Sequence, residues 1–168
     1  MSEKEFTNCP ICGGDLKEER QDRPYLKGAK LNVTLKDIQV FTCQSCEEEF
    51  DSIPRMEELH KTLAIEMATQ PNRLTGPEIR FLRTHLGWSG KDFAKTLGVT
   101  AESVSRWEND KEKMGTTSER LLRVMVLRLK PVEEYPTEKI AELGLADGPM
   151  ESLDLLDKDG SWETKRAA

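Results

Sequence analysis

Four cysteines arranged as two close pairs constrain this chain more than any other feature. Cys9 and Cys12 form one C-x-x-C and Cys43 and Cys46 the other, with thirty residues between Cys12 and Cys43. Two residues inside each pair let both sulfurs of one turn reach a single metal ion, and two such turns complete a closed tetrahedral thiolate site. In CPICGG, glycines follow the second sulfur, where the backbone bends tightly and aims N–H groups at the thiolates. The alternative uses of the thiols are two disulfides or free buried groups. Disulfides belong to oxidising compartments, and the opening MSEKEFTNCP lacks the basic-then-apolar order of a secretion signal. A thioredoxin-type redox pair needs one C-x-x-C on a βαβ unit rather than two turns. Four sulfurs fill the shell and leave no position for a catalytic water. The expected ion is therefore one structural Zn2+ held by Cys9, Cys12, Cys43 and Cys46.

Between the pairs, Leu31, Val33 and Leu35 alternate with polar residues, and Ile38 and Val40 do so again after Asp37. This period of two, interrupted once, predicts a β-hairpin inside a small zinc-stapled sheet over residues 1–53. Such a module is too small for a large core, and metal binding supplies much of its folding energy. After Pro54, Met56, Leu59, Leu63 and Met67 fall at spacings of three and four, a helical stripe that ends before Gln70-Pro71. Residues 54–72 are expected to form a connecting helix that serves as a spacer, with a packing surface between domains as the alternative.

Charge divides the chain further. The whole carries −6 over 168 residues, which argues against nucleic acid until it is resolved by segment. Residues 1–72 hold 9 Lys and Arg against 14 Asp and Glu, a net −5; residues 73–130 hold 12 against 7, a net +5; residues 131–168 hold 4 against 10, a net −6. The basic middle suits phosphate binding, whose affinity comes largely from counterion release.

That basic segment is dense in helix punctuation. Thr75 caps a helix with Pro77 and Glu78 in its first turn, running to Gly87; Ser89 caps a second that stops at Gly98; Thr100 caps a third, AESVSRWEN. Thr116 and Glu119 have the spacing of a capping box before a fourth helix. Two short helices joined through Gly98-Val99-Thr100 predict a helix-turn-helix over 73–130, with Ala94 at the close approach and Val99 plugging the turn. Val104 and Trp107, three apart, face the core. Ala101, Glu102, Ser103, Ser105, Arg106 and Asn109 lie on the opposite face of this recognition helix, whose N-terminal end points at base edges. Arg106 can donate two hydrogen bonds to guanine O6 and N7. Its bland alternative is an ion pair with Glu102, four residues earlier. Thr100, Ser103 and Ser105 are candidates for phosphate or base contact, and Lys91, Lys95, Lys111 and Lys113 for the flanking phosphates, although lone lysines are ordinarily solvated. The fourth helix carries Leu121, Leu122, Val124, Met125, Val126, Leu127 and Leu129, more apolar residues than one buried face needs, which makes it the candidate dimer surface.

CPICGG and CQSCEE followed by LTGPEIRFLRTHLGWSGKDFAKTLGVTAESVSRWEN resemble the MqsA antitoxins, the YgiT-type zinc-finger and Xre/Cro-type helix-turn-helix proteins. The resemblance spans roughly Cys9 to Leu129. It implies a homodimer that binds palindromic operators on double-stranded DNA and represses its own operon. It also implies a structural zinc, and an N-terminal domain that neutralises an mRNA-cleaving ribonuclease toxin. The recognition-helix arginine of the family matches Arg106. Two positions depart: Glu102 stands where a base-reading asparagine occurs, and Gly90 where a phosphate-clamping glutamine is common. A carboxylate at 102 accepts from cytosine N4 and repels phosphate, so the operator read differs.

Residues 131–168 form an acidic extension with Pro131, Pro136, Gly144, Gly148, Pro149 and Gly160. A short helix over Thr137–Leu145 is expected, with the rest a flexible, solvating segment. The sharper alternative is a docking segment or a shield over the basic face. The overall expectation is an α+β protein with a β-rich zinc module, an all-α helix-turn-helix domain and a partly disordered tail. It is expected to be soluble and cytoplasmic. No nucleophile, base and orienting group form a set, and neither His60 nor His85 sits in a catalytic or metal motif, so no enzymatic activity is expected. His60 is expected as a solvated helix residue, and Glu47 to Glu49 as a solvated turn.

Overall fold

The computed structural model describes residues 7–25, 30–128, 148, 150, 152–158 and 160–166. The architecture is α+β, with a β-sheet region carrying the four cysteines and a separate helical region. The chain divides into two compact units: residues 1–27, 32–58 and 152–168 form one, and residues 28–31 and 59–151 the other. Among the described residues, no helix is long and apolar enough to cross a membrane.

Among the described residues, the first unit is a five-stranded sheet. β1 (Leu16–Pro24) pairs antiparallel with β2 (Val33–Cys43), and β3 (Glu49–Ser52) pairs with β2 on its other side. The expected hairpin within 31–43 is instead a single bulged strand. Gln21 faces Ile38 but Arg23 faces Leu35, so β2 carries one extra residue there, and Asp37 absorbs it at φ 53°. A bulge of this kind shifts the side-chain alternation by one. Leu35 and Ile38, three apart, therefore both point inward with Val33 and Val40. Arg20 donates to the Asp37 carbonyl at 2.9 Å, and the Asp37 N–H to Asp22 Oδ1 at 3.1 Å, which pins the bulge from β1.

The C-terminal end of the chain belongs to this same sheet, a correction to the expected flexible tail. β4 (Leu153–Lys158) runs parallel to β2 over Val33–Lys36, and β5 (Ser161–Arg166) closes a hairpin onto β4. Leu153, Leu155 and Trp162 are buried. Lys36 pairs with Asp154 at 3.3 Å, and Arg55 with Asp157. Along β4 Leu153 and Leu155 share the dry face and Asp154 and the exposed Leu156 the other, while Asp157, in phase with the buried leucines, is half-buried beside Arg55. The helix expected over Thr137–Leu145 lies outside the described residues.

The second unit is helical. α1 (Met56–Thr69) begins in the first unit and continues into the second, where Leu59, Leu63, Ala64, Met67 and Ala68 are buried; Met56, expected on the same stripe, is 42% exposed. The C-terminal part of α1 is thus a core helix rather than a spacer. Arg123, fully buried on α5 (Thr116–Arg128), donates to the carbonyls of Met67, Ala68, Gln70 and Asn72, satisfying the open end of α1. His60 is half-buried rather than fully solvated: its ring meets Phe81 edge-on at 5.7 Å, and burial pushes its pKa below the ordinary histidine value.

The expected Thr116–Glu119 capping box does not form, because Thr116 already lies within α5. Glu119 is instead buried, accepting from Arg73 Nε at 2.6 Å, from Arg123 Nη2 at 2.8 Å and from the Leu74 N–H at 3.2 Å. A carboxylate between two guanidiniums and a backbone N–H gains more there than at an exposed cap.

Candidate nucleic-acid interface and metal centre

α2 (Gly76–His85), α3 (Gly90–Leu97) and α4 (Ala101–Glu108) start and stop where the punctuation places them. Glu78 accepts from the Thr75 N–H at 2.7 Å, and Asp92 and Ser89 exchange hydrogen bonds in a complete capping box. Gly98 closes α3 in the left-handed region at φ 65°. A side chain there would be strained, so glycine sets the turn that redirects the chain into α4. Thr100 Oγ1 caps α4 by accepting from the Ser103 N–H at 3.1 Å. Ala94 is buried at the α3–α4 approach and Val99 is half-buried in the turn, its N–H donating to the Ala94 carbonyl at 2.9 Å.

α4 is held from behind. Val104 and Trp107 are buried, and Arg83 on α2 grips Glu108 at 2.5 Å while donating to the Trp88 carbonyl at 2.6 Å. Gly76 meets the end of α4 so closely that a Cβ there would lie 2.7 Å from the Glu108 carbonyl carbon; Asp110 Oδ1 accepts from the Gly76 N–H at 2.6 Å. The front of α4 is consequently rigid and open: Ala101, Glu102, Ser105, Arg106 and Asn109 are exposed and Ser103 is half-exposed.

On that face the predicted residues occupy distinct states. Arg106 Nη2 donates to Glu102 Oε1 at 2.8 Å, the bland alternative anticipated from the sequence. Exposed ion pairs of this type contribute roughly 0.2–1 kcal/mol, less than the roughly 1–3 kcal/mol of a bidentate guanine contact. The pair therefore does not prevent Arg106 from reaching a base. Thr100 and Ser103 share a hydroxyl contact at 3.0 Å within the cap. Asn109 donates to the Ser105 carbonyl at 2.7 Å and so finishes the helix C-terminus. Lys91, Lys95, Lys111 and Lys113 are exposed around α3 and α4. Three arginines of the basic segment are turned inward, Arg83 to Glu108 and Arg73 and Arg123 to Glu119, while Arg80 pairs with Glu108 from the surface. The sequence reading did not single out Glu112, which stands 3.8 Å from Arg106 Nη1. It lies beyond the helix, where no periodic signal points to it.

In the first unit the four cysteines converge. Their sulfurs all lie within 4.8 Å of one another, with Cys9 to Cys46 at 3.7 Å and Cys12 to Cys43 at 3.5 Å. A disulfide needs about 2.05 Å, whereas a zinc–sulfur bond of about 2.3 Å in a tetrahedron separates sulfurs by about 3.8 Å. The spacing fits a metal ion. The backbone is built for thiolates: the Ser45 N–H approaches Cys43 Sγ at 3.4 Å, Gly13 turns at φ 76°, and Glu47 at φ 60°. Gly14 lets the two turns approach closely, since a Cβ there would lie 2.5 Å from Ser45 Oγ and the serine side chain would have to move. The Cys46 and Ser45 N–H groups pull the Cys43 thiol down to about 6. For Cys46 the Glu48 N–H pulls downward, but burial and the neighbouring thiols outweigh it and leave the group at about 12. Four sulfurs this close cannot all ionise without a cation among them. Of the carboxylates beside the second turn, Glu49 is paired with Arg23 at 2.5 Å.

Residues 79–125 match the helix-turn-helix family, a span that begins within α2, contains α3 and α4 whole and ends within α5. No curated protein and no solved structure matches the chain. The match supports a DNA-binding regulator, and the four-cysteine group can hold a metal ion.

Proposed function

We propose that this chain is a sequence-specific transcriptional regulator, a repressor that binds a palindromic DNA operator as a homodimer and uses a structural Zn2+ to fold its sheet unit. The observation that carries the reading is the α3–Gly98–α4 turn, with α4 held from behind by Arg83 of α2 and Glu102, Ser103, Ser105 and Arg106 facing outward. Arg106 reads guanine in the major groove, and Lys91, Lys95 and Lys111 hold phosphates on either side. Dimerisation uses α5, where Leu121 is 40% exposed and Val124 and Met125 are only half-buried. Two such α4 helices address half-sites about one helical turn apart. The protein acts by binding rather than by catalysis. Arg106→Ala is the test. It should cost roughly 1–3 kcal/mol at one base position of each half-site, read from binding to a panel of single-base operator variants. An equal loss on every sequence would assign Arg106 to phosphate and overturn its role.

The resemblance to MqsA antitoxins and the acidity of residues 1–72 favour a second, compatible role. In it the sheet unit captures and neutralises a basic, mRNA-cleaving ribonuclease, since opposite charge speeds association. Co-purification with the product of a neighbouring gene encoding a small basic protein would support it, and a solitary gene would count against it.

A further inference from the structure

We propose that Glu112, together with Glu102, is a specificity-determining residue: the two carboxylates bracket Arg106 and suppress its use on phosphate. The inference rests on the DNA-reading role given to α4. Arg106 is 54% exposed yet not a bare cation, with Glu102 at 2.8 Å on one side of its guanidinium and Glu112 at 3.8 Å on the other. Both carboxylates are themselves exposed, at 73% and 55%. One positive charge between two negative ones gives the centre of the reading face a net −1. A phosphate approaching it meets repulsion from both carboxylates, whereas guanine presents two neutral acceptors and is not repelled. The exposed Lys91 and Lys95 lie on α3, off the helix that carries the bracket, and keep their charge for the backbone, whereas Lys111 adjoins Glu112 and donates its N–H to the Arg106 carbonyl at 2.9 Å. The surface thus separates two tasks, with phosphate attraction at the flanks and base reading at a centre that carries no net attraction for phosphate. Because non-specific binding is almost wholly phosphate attraction, the bracket widens the ratio between operator and random DNA.

The test compares the full-length, metal-loaded protein with its Glu112→Gln and Glu102→Gln variants on a selected operator duplex and on a random duplex, across a salt series. Glu112→Gln is the cleaner variant, because its side chain lies outside α4 and loses only charge. Expected is about a fivefold gain on random DNA, the size of one contact-distance charge interaction in water. For Glu112→Gln the operator should change by less than about twofold, and the salt slope on random DNA should steepen by about one. In an Arg106→Ala background the gain should shrink markedly. Equal gains on both duplexes, or none on either, would overturn the inference. Wild-type protein showing no preference for any sequence would instead overturn the DNA-reading role beneath it.

Discussion

Replacing Arg123 with methionine should cost about 3–5 kcal/mol and unfold much of the helical unit under mild conditions. The side chain is fully buried and meets six acceptor contacts: the carbonyls of Met67, Ala68, Gln70 and Asn72, and Glu119 Oε1 twice, through Nε and Nη2. Methionine keeps the apolar stem but removes every donor, so the loss isolates polar satisfaction rather than cavity formation. Each buried acceptor left without a partner costs roughly 1–3 kcal/mol, less where water enters. Glu119 retains Arg73 and the Leu74 N–H, so its charge is not orphaned. Breaking one side of a buried pair typically costs about 3–5 kcal/mol, a large share of the roughly 5–15 kcal/mol of a whole domain. Urea unfolding followed by far-UV circular dichroism, alongside Glu119→Gln and the double variant, measures the coupling. A loss below about 1 kcal/mol for Arg123→Met would refute the reasoning. It would mean that the C-terminal end of α1 is solvated rather than joined to α5 through this guanidinium.

Removing the metal with a chelator should melt the sheet unit and leave the helical signal largely intact; loss of both together would contradict the division into two units. Metal affinity should fall as pH is lowered, because protons compete with the metal for the thiolates, and uptake near neutral pH should release protons, since the Cys46 thiol is held at about 12 although Cys43 is held at about 6. Isothermal titration in buffers of different ionisation enthalpy counts these protons, and release independent of pH would contradict the cysteine electrostatics. Deleting residues 152–168 should lower the chelator concentration needed to unfold the sheet, since Leu153, Leu155 and Trp162 leave its core. An unchanged metal affinity and stability would show the β4–β5 hairpin to be dispensable.

The helix-turn-helix was legible because its boundaries are written in local chemistry. Thr75, Ser89 and Thr100 cap, Gly98 takes the left-handed turn, and Val104 and Trp107 mark the inner face, all within short reach along the chain. The cysteine spacing was equally direct, since four sulfurs at two short intervals have few common destinations. What escaped depends on partners distant in sequence. β1 has charged residues on both faces and no alternation, and only β2 gives it a register. The break at Asp37 reads as a hairpin turn in sequence and is a bulge in space. Glu119 has the spacing of a cap but is drawn inward by Arg73 and Arg123, forty-six residues before it and four after. The terminal hairpin did leave a signal, alternating Leu153 and Leu155 ahead of an Asp-Gly pair, but the acidic composition around it masked the pattern.

The most direct test of the central claim is selection of DNA fragments by the purified, metal-loaded protein at near-physiological salt. The account predicts enrichment of a palindrome whose half-sites lie about one helical turn apart, each with a guanine that Arg106→Ala no longer distinguishes. Recovery of fragments without any shared sequence would contradict it, leaving the outward face of α4 without a base-reading role.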